Sequence, residues 1–139
     1  MLSLYNMPCY DKIMKIGKII PNGVSLEKHE NETVVFFTNL GFNIELIPPS
    51  NIPKTKTPDF IMDGKAWEMK SPHGKSHSTI EHSFRHAATQ SENIILDLRR
   101  NKISTDQAKT VIKKLFNASR RVHNLKVITK EQALLDFKK

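Results

Sequence analysis

The chain has 139 residues, of which 38% are hydrophobic and 26% charged, a balance that suits one globular domain and excludes a disordered or fibrous chain. No apolar run approaches the roughly 20 residues of a membrane span, so no membrane partner is expected. Twenty-two Lys and Arg against fourteen Asp and Glu leave a formal charge of +8, a field that favours a polyanionic partner such as nucleic acid.

Residues 1–24 show weak periodicity and end in the turn signal Pro21-Asn22-Gly23. They are expected to be an N-terminal extension, with the domain proper at 25–139. Their apolar residues are broken by Asp11, Lys12, Lys15 and Lys18, unlike the ordered blocks of a secretory signal. The chain is therefore expected to be cytosolic or a piece of something larger. Cys9 is the single cysteine, so neither an internal disulfide nor a cysteine metal cluster is available.

From Ser25, a candidate N-cap, Leu26, Thr33, Val34, Phe37 and Leu40 recur at helical spacing until Gly41 ends the helix. Phe42–Ile47 predicts a strand, and Pro48, Pro49 and Pro53 make 48–58 a loop. Asp59–Met62 and Lys65–Lys70 flank Asp63-Gly64, a strong two-residue hairpin signal. Ser71–His77 predicts a loop. A helix should follow Ser78, which forms an S-x-x-E capping box with Glu81 and precedes the apolar stripe Ile80, Phe84, Ala87, Ala88. Asn93–Leu98 predicts a central strand. Ser104 caps a helix with the stripe Ala108, Val111, Ile112, Leu115, and Leu125–Thr129 is a further strand. Residues 130–139 fit either a short helix or an edge strand. The order α-β-β-β-α-β-α-β predicts an α/β/α sandwich around one mixed sheet.

The hairpin carries the chemistry. Alternation along Lys65–Lys70 puts Trp67 and Met69 on one face, Glu68 and Lys70 on the other. The turn brings Asp59 back beside Glu68. Asp59 and Glu68 are hard oxygen ligands for a divalent cation, Mg²⁺ first and Mn²⁺ or Zn²⁺ as alternatives, with the Met69 carbonyl as a third ligand. Such an ion suits phosphodiester hydrolysis, with Lys70 orienting the attacking water or stabilising developing charge. An exposed cross-strand ion cluster is the plainer alternative for the same three residues.

Glu30 lies on the apolar stripe of the first helix, four residues before Val34 and seven before Phe37. A carboxylate there needs a partner, so it is taken as a further catalytic candidate. His73, Lys75 and His77 follow the catalytic strand and are candidates for holding phosphates. Gln90 ends its helix toward the sheet. Asp97 would be expensive in a central strand without a partner; it is assigned a structural role, and Arg99 a nucleic-acid contact. His82 and His86 stand at i, i+4 but lack the glutamate of H-E-x-x-H between them, so no zinc site is expected there. Lys113, Lys114, Arg120 and Arg121 form a solvated basic face that also suits RNA.

Pro58-Asp59, Glu68-Met69-Lys70 and their spacing resemble the P-D-x(8)-E-x-K motif of the PD-(D/E)xK nuclease superfamily, which includes restriction endonucleases, resolvases and tRNases. More narrowly, KTPDFIMDGKAWEMKSPHG followed by QSENIILDLRR resembles the C-terminal tRNase domain of contact-dependent growth inhibition toxins, over roughly Ser25–Phe137. The resemblance implies a restriction-endonuclease-like fold, metal-dependent cleavage of tRNA, a cognate immunity protein and a bacterial or phage origin. It also implies a cytoplasmic site of action reached as part of a larger toxin. A DNA endonuclease or resolvase with the same site, and a non-catalytic nucleic-acid-binding module, are the alternatives.

Overall fold

The computed structural model describes residues 15–139; Cys9 and most of the expected N-terminal extension lie outside them. Ile19–Ile20 (β1) opens the described part. Helix α1 (Lys28–Asn39), strands β2 (Ile44–Leu46), β3 (Phe60–Met62) and β4 (Lys65–Lys70), helix α2 (His77–Ala88), strand β5 (Asn93–Asp97), helix α3 (Thr105–Ala118) and strands β6 (Asn124–Ile128) and β7 (Leu134–Lys138) follow. The seven strands form one sheet in sequence order. Strands β2, β3 and β4 run antiparallel, β4, β5 and β6 run parallel, β1 adds parallel to β2, and β7 adds antiparallel to β6.

The sheet is mixed and its two faces are both covered, the α/β/α arrangement expected. On one face α1 inserts Val34 and Phe37 among Ile44, Leu46, Phe60, Met62, Trp67, Met69, Ile95 and Ile128. On the other, Ile80, Phe84 and Ala87 of α2 and Ala108, Ile112 and Phe116 of α3 close over Ile94, Leu96, Leu125 and Val127. Neighbours Ile94 and Ile95 thus point to opposite cores, so the middle of β5, Ile94–Leu96, is apolar on both faces, with Asn93 and Asp97 at its ends. The order expected from the sequence lacked the two edge strands. β1 is only two residues long, too short to show alternation, and 130–139 resolves to strand β7.

Two helix starts also differ from expectation. Helix α1 is capped at Glu27 instead of Ser25, and the Glu30 carboxylate accepts the Glu27 amide at 3.0 Å, so an acidic pair does the work looked for in a serine. Leu40 of the expected stripe is exposed, and Thr38 is buried instead. Helix α2 starts two residues early: Ser76 is extended (φ −112°, ψ 151°) and takes the cap position, while the Ser78 hydroxyl pairs with that of Ser76 at 2.9 Å. Gly41 (φ 98°) ends α1 as expected. Asp63 (φ 54°) and Gly64 (φ 75°) make the tight hairpin turn in which both central residues have positive φ.

Candidate active site

The hairpin register places the site. Phe60 pairs with Trp67 and Met62 with Lys65, so Asp59, one residue before β3, lies opposite Glu68. The Asp59 amide donates to the Trp67 carbonyl at 2.8 Å, and its Oδ2 accepts the Met69 amide at 2.8 Å. Backbone on both sides therefore fixes this carboxylate. Strand β4 is itself locked at its start, where the Ser91 hydroxyl and the Asn93 amide group both donate to the Ala66 carbonyl, at 2.7 and 3.1 Å.

Glu68 is only 3% exposed. Its Oε2 accepts Gln90 Nε2 at 3.0 Å and stands 3.3 Å from Lys70 Nζ. Its Oε1 is buried with no hydrogen-bond partner. Burial, and after it the Asp59 charge, push the Glu68 carboxyl up to about 8. Asp59 is also raised, by burial above all and by the Glu30 charge, while the Met69 amide and Lys70 oppose the rise. Burial and the neighbouring carboxylate together favour the protonated form of Glu68, and Lys70, 3.3 Å from it, opposes this only in part.

A cation fits this arrangement. Hydrogen bonds engage one oxygen of each carboxyl group and leave Glu68 Oε1 without a partner, and a divalent ion would remove the reason for Glu68 to hold a proton. Among the described residues no three His, Cys, Asp or Glu side chains group as a metal cage. That leaves two carboxylates, which matches a Mg²⁺ that keeps much of its water and shares substrate phosphates better than a tetrahedral zinc site.

A cleft of about 120 Å³ opens beside the hairpin, lined by His29, Glu30, Thr33, Met69, Lys70 and Ser71. Glu30 therefore reaches the site, although half-buried and at the start of α1, where it also caps the helix. Gln90 reaches it too, as the hydrogen bond to Glu68 shows. His73, Lys75 and His77 are exposed after β4, and His77 already belongs to α2 instead of the loop.

Arg99, the expected nucleic-acid contact, is held by the structural Asp97. Its Nε and one terminal nitrogen donate to Asp97 at 3.0 and 2.7 Å, that terminal nitrogen also donates to the Glu32 carbonyl at 3.0 Å, and the guanidinium lies 5.2 Å over the Phe36 ring. It lines a separate hollow on the other side of α1, with Asn31, Glu32 and Phe36. The reason is Asp97: this side chain, 2% exposed, also accepts the Thr33 hydroxyl at 2.6 Å and holds the arginine in place as its counter-charge. Arg100 braces the end of β4 by donating to the Ser71 hydroxyl and carbonyl at 3.0 and 2.7 Å.

Residues 56–134 match the family model of the contact-dependent growth inhibition CdiA C-terminal domain, more than half the chain, and the match holds the whole hairpin with Asp59, Glu68 and Lys70. The chain belongs to that family. Like the family, this is a toxin domain. Among solved structures, the CdiA-CT/CdiI toxin and immunity complex from Burkholderia pseudomallei contains a chain of similar fold, with a TM-score of 0.67 and 18% identity, covering 88% of this chain and 100% of that one. No curated protein matches the toxin domain. The family match begins after Glu30, so the α1 carboxylate stands outside it, whereas Gln90 and β5 stand inside. No helix among the described residues is long and apolar enough to cross a membrane.

Proposed function

We propose that this toxin domain is a metal-dependent nuclease of the PD-(D/E)xK type that hydrolyses phosphodiester bonds of tRNA. The observation that carries the reading is the pair itself: Glu68, 3% exposed, stands beside a second carboxylate, Asp59, with Lys70 Nζ 3.3 Å from Glu68 Oε2. Two buried acids held this close repel once both ionise, and a cation bound between them relieves that repulsion.

Asp59 and Glu68 would hold the ion, Mg²⁺ or Mn²⁺, with the Met69 carbonyl as a third donor from the same strand. When bound, such an ion polarises the phosphate and offsets the charge that builds in the displacement. The protein's own groups do the rest. The Met69 amide fixes Asp59, and Gln90 fixes Glu68 from the end of α2. The Lys70 ammonium, projecting from β4 beside Glu68, orients the attacking water and faces the charge on the phosphate oxygens. Glu30, whose charge raises Asp59 across the cleft, extends the acidic wall on the α1 side. The net +8 draws the polyanion to the surface before any specific contact is made.

By analogy with the Burkholderia pseudomallei complex, a cognate immunity protein is the expected protein partner. By the family's description as a C-terminal domain, delivery within a larger toxin to the target cytoplasm is the expected setting. The test incubates total tRNA and plasmid DNA with the protein, in Mg²⁺ or EDTA, beside the Asp59→Ala variant. Discrete tRNA fragments that disappear with EDTA and with the variant support the reading. Cut plasmid beside whole tRNA moves the substrate to DNA. Whole substrates in every lane, from folded protein and across several divalent ions, refute the nuclease.

A further inference from the structure

His82, His86 and Gln90 stand at i, i+4 and i+8 along α2 and its exit, so they fall on one ridge of the helix, about 5.4 Å apart per turn. The last of the three is anchored to the catalytic Glu68 at 3.0 Å. The ridge therefore starts at the reaction centre and leads away from it. Both imidazoles are exposed, and their rings stack at 6.2 Å between centroids with 22° between planes. Lys70 is the main influence holding the His86 imidazole below its usual acidity range, followed by burial, His82 and Lys56. Lys70 projects from β4, which packs against α2. The acidic residue on this helix, Glu81, is turned to Arg85 at 3.8 Å. Positive groups held beside the stacked imidazoles repel when charged, and an anion laid along the ridge removes that repulsion.

We propose that the α2 ridge of His82 and His86 is the track that holds the sugar–phosphate backbone of the RNA substrate next to the scissile bond. The inference rests on the nuclease reading for its direction: the scissile phosphate sits at Asp59 and Glu68, and the following phosphates are held by the imidazole N–H groups. An exposed histidine pair on a helix otherwise has no structural duty, because neither ring is packed into either core.

The test measures binding of end-labelled tRNA by fluorescence anisotropy in the Asp59→Ala background, which does not cut. Adding His82→Ala and His86→Ala is expected to weaken binding about tenfold, the effect of losing two hydrogen bonds to phosphate. Adding His82→Arg and His86→Arg instead, which keeps donors at both positions and supplies a fixed charge, is expected to restore it. Alanine replaces exposed helical residues here, so circular dichroism and thermal melting are expected to stay as in the parent. Unchanged affinity in the alanine variant, or a loss that arginine does not restore, overturns the track. Failure of the tRNA reading looks different: the wild-type protein with Mg²⁺ then leaves tRNA whole. The same variants are then compared on the nucleic acid that is cut, where a tenfold loss upholds the track and unchanged affinity overturns it.

Discussion

Replacing Glu68 by Gln keeps the shape and the hydrogen-bonding capacity of the side chain and removes only its ability to ionise. The carboxyl of Glu68 has a pKa of about 8 in the fold against an ordinary 4.5. The folded state binds this proton more tightly than the open chain, so the group costs nothing below pH 4.5, and the cost grows as pH rises and is complete above about 8. At about 1.4 kcal/mol per tenfold change in proton affinity, the full cost is on the order of 5 kcal/mol. In EDTA, urea unfolding of the wild type should therefore show stability falling between pH 5 and pH 8.5. Glu68→Gln should lack that decline, becoming the more stable protein at the alkaline end while losing nuclease activity. Mg²⁺ should restore the wild type at pH 8 and leave the variant unmoved, because the ion takes the place of the proton. Parallel stability curves for the two proteins across this range would show that Glu68 is not the group under strain and would remove the argument for a cation between the carboxylates.

Two further outcomes test the frame around the site. Asp97→Ala leaves the Arg99 guanidinium without the carboxylate that fixes it and is expected to cost about 3 kcal/mol in urea unfolding; a loss under about 1 kcal/mol would show that the pair is no brace. Gly64→Ala meets no atom within 4 Å of the added carbon but holds alanine at φ 75°, so a loss of about 1 kcal/mol, near 3 °C in Tm, is expected from backbone strain alone. No change in Tm would mean that the turn relaxes to another form.

The hairpin that carries Asp59 and Glu68 was legible because every step in it is local. Asp63-Gly64 specifies the turn, the turn fixes the register, and the register brings residues 59 and 68 together within ten positions of chain. The apolar run 94–98 and the stripes of the three helices announced the layers for the same reason. What stayed hidden depends on residues far apart in the chain. Arg99 follows Asp97 so closely that sequence shows the ion pair, yet Thr33, which donates to Asp97, and the Glu32 carbonyl, which accepts from Arg99, come from α1 more than 60 residues earlier. Lys126 sits in a central strand at 8% exposure because Asp136 on β7 reaches it at 2.7 Å and the Phe42 and Trp67 rings lie 5.6 and 5.5 Å away; none of this shows in the strand's own pattern. The ridge of His82 and His86 invited a zinc reading from spacing alone. Its relation to Lys70 exists only once β4 is packed against α2.

Strand β4 is where the antiparallel half of the sheet meets the parallel half, and this has a bearing on when the toxin becomes active. A hairpin closes quickly, since its contacts are close in sequence, whereas the parallel pairing of β4 with β5 waits for the crossover through α2. The β3–β4 pairing alone sets Asp59 opposite Glu68. Gln90 comes with the crossover and Glu30 with α1. On the proposed nuclease reading, a chain that has closed only its hairpin holds both acids without the groups that position them.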